Sequence, residues 1–129
     1  MDRLRLIEDK DYPALRVYWA LTGKAIEPSQ VYPQCSSYVY ERSGDLLYAV
    51  ALYLIQGLDM AYVEAVVRNP SKKADFNALA ALQAHLENKA REQGCQRIVG
   101  FPSNERLLSH YTKLGYNKVG TAFLSVKEL

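Results

Sequence analysis

Thiols and metal-binding patterns are scarce in this sequence. Its 129 residues include two cysteines, Cys35 and Cys95, which lie far apart and belong to no Cys-x-x-Cys or Cys/His pattern. This spacing argues against a disulfide framework and against a thiolate metal site. We therefore expect two reduced thiols, no bound metal and no activated cysteine.

Charge of one sign and long apolar runs are also lacking. The formal net charge is +2 and the only notable basic doublet is Lys72-Lys73, so we expect no nucleic-acid partner. No segment approaches a transmembrane span, and the N-terminal MDRLRLIEDKDY has no apolar signal-peptide core, which predicts a cytoplasmic protein without a membrane partner. With 49% hydrophobic residues and no linker or repeat, the chain predicts one globular domain over 1–129.

The first half of the chain predicts a strand, a helix and then three strands. Weak alternation marks a strand at 3–7. An acidic cap at Asp11, followed by a proline, begins a helix that ends at Gly23. Residues 24–36 predict a loop, because they contain prolines and polar residues. The three strands, rich in β-branched and aromatic residues, are expected at 37–41, 46–55 and 60–67.

The second half predicts two helices alternating with two strands. The long helix at 75–93 has Asp75 as its cap, Gly94 at its end, and an apolar stripe formed by Leu79, Leu82, Leu86 and Ala90. A short buried strand at 96–101, a helix capped by Ser103 and a last strand at 118–126 follow. The order β-α-β-β-β-α-β-α-β predicts an α/β fold, a mixed sheet with helices on both faces.

Three stretches carry a resemblance to the GNAT superfamily of acyl-CoA-dependent N-acetyltransferases. LRLIEDKDYPAL resembles the opening strand and helix, and YVEAVVRNP with the helix ending AREQGC resembles the central strand and main helix. SNERLLSHYTKLGY, the most specific stretch, places Asn104, Tyr111, Gly115 and Tyr116 at the offsets of the C-terminal motif. The resemblance implies that acetyl-CoA donates an acetyl group to a primary amine.

The resemblance also implies roles for individual residues. Tyr111 would protonate the leaving thiolate, and Glu64 or a water chain would take the amine proton. The strand backbone near Val66 and Val67 would pair with the pantetheine arm and stabilise the oxyanion. Asn104 would hold the strand-to-helix junction or hydrogen-bond the arm.

The coenzyme A phosphates would lie at residues 71–78, where Lys72, Lys73, Asn77 and Ala78 are the candidate contacts. The family pattern there is Arg or Gln, two residues, Gly, one residue, then Gly or Ala, but this chain has no glycine between Asp59 and Gly94. One register puts Lys73, Phe76 and Ala78 at the three motif positions; the other puts Ala74, Asn77 and Leu79 there. Phe76 or Asn77 would crowd the phosphates and Asp75 would repel them, which predicts weak or absent binding that the two lysines offset in part.

Each candidate also has a structural interpretation. Tyr111 lies on an apolar stripe and can be a core residue, Glu64 can lie on a solvated strand face, and Asn104 can serve only the helix start. Tyrosines in the loop and strands indicate either ordinary sheet residues or a homodimer face. They are Tyr32, Tyr38, Tyr40, Tyr48, Tyr53 and Tyr62.

Two functions therefore stay open at this stage. One is an N-acetyltransferase acting on a small-molecule or peptide amine that the sequence does not identify. The other is a GNAT-like domain without catalysis that serves as a binding or structural protein, similar to short, glycine-poor members encoded by bacteriophages.

Overall fold

The computed structural model describes residues 1–21, 27–54, 57, 59–100, 102, 105–119 and 127. A 3-10 turn at Asp9–Asp11 precedes the first helix. The strands are β1 (Asp2–Leu6), β2 (Ser37–Arg42), β3 (Asp45–Leu54), β4 (Met60–Arg68) and β5 (Arg97–Gly100). The helices are α1 (Tyr12–Leu21), α2 (Pro28–Val31), α3 (Phe76–Glu92) and α4 (Glu105–Lys113).

The strands form one five-stranded mixed sheet in the order β1-β2-β3-β4-β5. The first three pairings are antiparallel, while β4 and β5 are parallel and joined through α3. The predicted α/β class and mixed sheet are confirmed. In the predicted last strand, Lys118 and Val119 belong to no strand, and residues 120–126 lie outside the described residues.

Two hydrophobic cores lie on opposite faces of the sheet. Leu79, Leu82, Leu86 and Ala90 of α3 are buried against one face, as their spacing predicts. Leu15 and Trp19 of α1 are buried against the other face. Helices therefore cover both faces. No helix among the described residues is long and apolar enough to cross a membrane.

The predicted loop at 24–36 contains a short helix, so that part of the prediction is wrong. Pro28 begins α2 and is buried. Proline suits the first helical turn because a backbone N–H at this position would have no acceptor within the helix. Tyr32, directly after α2, is 0% exposed. The segment thus contributes a helix and a core residue.

Several of the tyrosines proposed for a homodimer face are buried within the chain. Tyr38, Tyr40 and Tyr48 belong to the core beneath α3, and Tyr32 belongs to the core beneath α1. These rings form no open surface for a second copy. Because these four side chains are buried, they give no support to the homodimer, which stays a prediction.

A buried ion cluster fixes the start of α1 to the sheet. Arg5 of β1 donates to both carboxylate oxygens of Asp11, at 2.7 and 2.8 Å, and to Glu41 of β2 at 3.1 Å. The Arg5 and Asp11 side chains are only 8% and 5% exposed. Burial, the largest single effect, raises the pKa of Asp11, but the Arg5 hydrogen bonds, the Glu8 N–H and the nearby positive charges together hold that pKa below its ordinary value.

Replacing Arg5 tests this cluster. We expect Arg5→Ala to lower the free energy of unfolding by about 3 kcal/mol or more, because it leaves two carboxylates without their cation. Arg3→Ala is the matched control: Arg3 lies on the same strand, is 67% exposed and lies 3.9 Å from Glu41, so the loss should stay near about 0.5 kcal/mol. Urea unfolding of both variants measures the difference, and equal losses would contradict a special role for Arg5.

Candidate functional site

Among the described residues, β4 pairs with β5 over only part of its length. The pairing runs from Met60↔Arg97 to Val63↔Gly100, the last described residue of β5, while β4 continues to Arg68. Over residues 64–68, β4 therefore has a strand partner on its β3 side only, among the residues that the structure describes. An unpaired strand edge of this kind can hydrogen-bond an extended chain of amides.

A β-bulge lies in the same half of β4. Ala49 of β3 pairs with Val67 and Ala51 pairs with Glu64, so β4 has one more residue than β3 in this interval. Ala65 within the bulge has φ +56°, a left-handed conformation that costs an alanine about 1 kcal/mol. Bulges of this kind redirect backbone groups and are common beside active sites.

Tyr111 of α4 packs directly on the end of β5. A methyl group placed on Gly100 would lie 2.1 Å from Cε2 of the Tyr111 ring, so only glycine permits this approach. The ring is 6% exposed and stacks on Tyr116 at 4.8 Å between centroids. Burial, with a smaller effect of the Glu64 charge, raises the pKa of Tyr111 to about 12. The phenol is therefore protonated at neutral pH and holds its proton more tightly than a free tyrosine.

Glu64 lies half-buried on β4, opposite Ala51. It makes no ion pair with any residue in the described part of the chain. Its charge raises the pKa of both Tyr111 and Tyr53, a smaller effect than their burial, so the carboxylate lies within electrostatic range of both phenols. Both the solvated strand face and a catalytic position therefore stay predictions for Glu64. Its role as a base stays a prediction.

The candidate phosphate contacts surround the start of α3, but an internal carboxylate already lies there. Asp75 accepts a hydrogen bond from the Ala78 N–H at 3.2 Å and from Arg42 at 2.8 Å. The Arg42 contact, followed by the Ala78 N–H, lowers the pKa of Asp75, so the carboxylate stays charged. Lys72 pairs with Asp45 at 3.3 Å.

The surroundings of this carboxylate are open. Lys73 and Asn77 are exposed and Ala78 is buried, and no described carboxylate pairs with Lys73. A groove of about 370 Å³ runs between the loop and the β2–β3 turn. A ligand phosphate could reach the two lysines here, but not the Ala78 N–H while Asp75 caps the helix.

Phe76, the first residue of α3, contacts α4. Its ring meets the His110 ring edge-to-face at 6.2 Å, and Lys113 Nζ lies 5.9 Å from its centroid. The Phe76 ring, which the sequence predicts to crowd the phosphates, thus forms a contact between α3 and α4. Asn104, the remaining candidate, lies outside the described residues.

Tyr111 and Glu64 therefore lie near the second half of β4, which also contains Val66 and Val67, while the lysines and Asn77 surround the α3 start. Sequence reasoning missed the contribution of Ala65 and Gly100. Neither role could be read from the neighbouring sequence. An alanine gives no local signal for φ > 0, and Gly100 is required only because the Tyr111 ring, distant in sequence, packs on it.

Gly100→Ala tests the close contact with Tyr111. We expect a loss of about 1–3 kcal/mol in the free energy of unfolding, because the added methyl group overlaps the ring. In a Tyr111→Leu background the same substitution should cost at least about 1 kcal/mol less, since the overlapping ring carbons are gone. Urea unfolding of the four proteins gives both values. Equal costs in the two backgrounds would contradict the contact.

Comparison with known proteins agrees on the architecture. No protein-family model and no curated protein matches the chain. A transcriptional regulator from Bacillus halodurans superposes with a TM-score of 0.77 at 12% identity, covering 98% of this chain and 100% of that one. The ribosomal-protein-S18-alanine N-acetyltransferase of Escherichia coli gives 0.74 at 16% identity, covering 93% and 80%.

A third similar structure contains coenzyme A. The N-acetylglutamate synthase of Neisseria gonorrhoeae, complexed with coenzyme A and N-acetyl-glutamate, gives a TM-score of 0.68 at 17% identity. The match covers 86% of this chain and 28% of that enzyme, so this chain corresponds to a part of it. Together with the element order and the sheet, these similarities show that the chain has the fold of the GNAT N-acetyltransferases.

Proposed function

We propose that this protein is an acyl-CoA-dependent N-acetyltransferase that transfers an acetyl group from acetyl-CoA to a primary amine. The observation that carries the proposal is the bulged half of β4, which has no strand partner on its β5 side among the described residues and lies near Tyr111. Backbone amides and a proton donor are the groups that thioester aminolysis requires. The N-acetylglutamate synthase of the same fold was crystallised with coenzyme A, which supports this acyl donor.

The residues of the cleft divide the reaction between them. The free β4 edge at residues 65–68 would bind the amides of the pantetheine arm. Backbone N–H groups near Val66 and Val67 would stabilise the oxyanion formed when the amine attacks the thioester carbonyl, an effect of about 3 kcal/mol. Glu64, directly or through water, takes the proton that the amine loses. Tyr111 donates its proton to the sulfur as the C–S bond breaks, and the proton on Glu64 returns to Tyr111 through water.

Acetyl-CoA fits this chain better at its pantetheine end than at its diphosphate end. The pantetheine arm would pair with the edge of β4 that has no described strand partner, while the diphosphate would lie against the Asp75 carboxylate and the Phe76 ring. This second observation favours the alternative function, a domain of the same fold that binds no coenzyme A and serves as a binding or structural protein.

Calorimetric titration with acetyl-CoA separates the two functions. Binding at micromolar ligand supports the enzyme, and no binding at millimolar ligand contradicts that proposal.

Tyr111→Phe tests the proton donor. We expect turnover to fall by roughly 10²–10⁴-fold, because the thiolate loses its acid, while affinity for acetyl-CoA stays nearly unchanged. Tyr116→Phe is the control, since its ring stacks on Tyr111 and its hydroxyl contacts Gln83 at 3.1 Å. Release of free thiol with an amine acceptor measures turnover. Unchanged turnover in Tyr111→Phe would remove the proposed role.

Asp75→Ser tests the obstacle at the phosphate loop. Serine still caps a helix, but the negative charge is gone and Arg42 is freed from one of its carboxylates. We expect coenzyme A to bind about fivefold more tightly, corresponding to roughly 1 kcal/mol of removed repulsion. Pantetheine, which has no diphosphate, is the matched control ligand and should bind equally to both proteins. An equal gain for the two ligands would contradict the electrostatic explanation.

A further inference from the structure

Tyr32 connects the helical layer to the bulge of β4. Its side chain is 0% exposed. Its backbone is held at two points: its N–H donates to the Pro28 carbonyl at 2.9 Å, and its own carbonyl accepts from the Tyr12 hydroxyl at 2.6 Å. The ring therefore has a fixed starting point from which its hydroxyl reaches across to β4.

The hydroxyl of Tyr32 has two partners, and their chemistry fixes the direction of both hydrogen bonds. The indole N–H of Trp19, which can only donate, lies 3.0 Å from the oxygen. The single phenolic proton is therefore directed at the other partner, the carbonyl of Ala65, which accepts the hydrogen bond. Burial raises the pKa of Tyr32 well above its ordinary value, so this proton is retained.

Ala65 is the bulge residue with φ +56°. Its carbonyl points toward Tyr32, and in a trans peptide the following N–H points the opposite way. The Tyr32 hydrogen bond thus determines the direction of the Val66 N–H. We propose that Tyr32 is a positioning residue of the acyl-transfer site, whose hydroxyl holds the β4 bulge so that the Val66 N–H faces the cleft. This inference rests on the proposed function for its catalytic consequence.

The Tyr32 hydrogen bond acts on a strained part of the backbone. An alanine in the left-handed conformation is strained, and the hydrogen bond from the Tyr32 hydroxyl to the Ala65 carbonyl offsets part of that strain. Without the Tyr32 proton, this compensation is lost and the half-buried carbonyl loses its partner. The bulge should then relax away from positive φ, and the Val66 N–H should turn with it.

Tyr32→Phe removes one oxygen and is the direct test. In the active enzyme we expect kcat to fall about 10- to 100-fold, with KM for acetyl-CoA within about twofold, because a misdirected oxyanion donor affects the transition state more than binding. Tyr12→Phe is the matched control: it removes a hydroxyl bonded to the Tyr32 backbone and not to the Ala65 carbonyl, while the Tyr32 N–H still donates to Pro28, so kcat should stay within about twofold of wild type.

A second measurement does not depend on turnover. In nitrogen-15 NMR spectra, Tyr32→Phe should shift the amide signals of Ala65, Val66 and Val67 and accelerate their hydrogen exchange, whereas Tyr12→Phe should leave them in place. Because glycine adopts positive φ without the steric cost, adding Ala65→Gly to Tyr32→Phe should return kcat toward the wild-type value. The double variant also serves if Tyr32→Phe alone fails to fold.

The outcomes separate this inference from the proposed function. If the wild-type protein binds acetyl-CoA but transfers no acetyl group, or binds none, the proposed function fails, and the amide signals still decide whether Tyr32 holds the bulge. Bulge signals that are unchanged in Tyr32→Phe would overturn the inference. So would a loss of kcat that Tyr12→Phe shares equally, or a loss confined to KM.

Discussion

The structure depends most on how the backbone of β4 divides its hydrogen bonds. Over Ala61 to Val63 the strand is paired on both sides, which joins the antiparallel part of the sheet to β5. Beyond Val63 it has a described partner on the β3 side only, and the Ala65 carbonyl in the bulge accepts a hydrogen bond from Tyr32. The first half of β4 thus holds the sheet together, while the second half has backbone groups without a described partner on the β5 side. A regular strand paired over its whole length would offer no backbone groups to a ligand.

At the start of α3, by contrast, a backbone N–H group is occupied by a side chain of the protein itself. The free N–H groups of a helix start attract an anion, and here the chain supplies its own, the Asp75 carboxylate held by Arg42. Asp75 is therefore a stabilising cap and a competitor for any phosphate at the same N–H group. Phe76 adds a contact to α4 beside it. Both features strengthen the fold locally and reduce the space and charge complementarity available to a diphosphate.

The fold could be predicted from sequence because its signals are local. The period of the α3 stripe and the Asp75 cap depend on neighbours within a few residues, and both are confirmed. The missed features depend on distant contacts. Nothing near Ala65 signals positive φ, since its hydrogen-bond partner is Tyr32. The tyrosines of β2 and β3 indicated either ordinary sheet residues or a homodimer face, and Tyr38, Tyr40 and Tyr48 are buried beneath α3, which is distant in sequence.

Tyr111 shows why residue-level function is harder to assign than fold. The same burial that makes it a core residue raises its pKa to about 12 and keeps its proton in place near Glu64, so its structural and chemical interpretations do not exclude each other. An inactive descendant of an enzyme would need the ring over Gly100 just as an active one would. The cleft is therefore common to both proposed functions. What differs between them is the free energy of binding coenzyme A at its phosphate end, where Asp75 and Phe76 oppose it and Lys72 and Lys73 favour it.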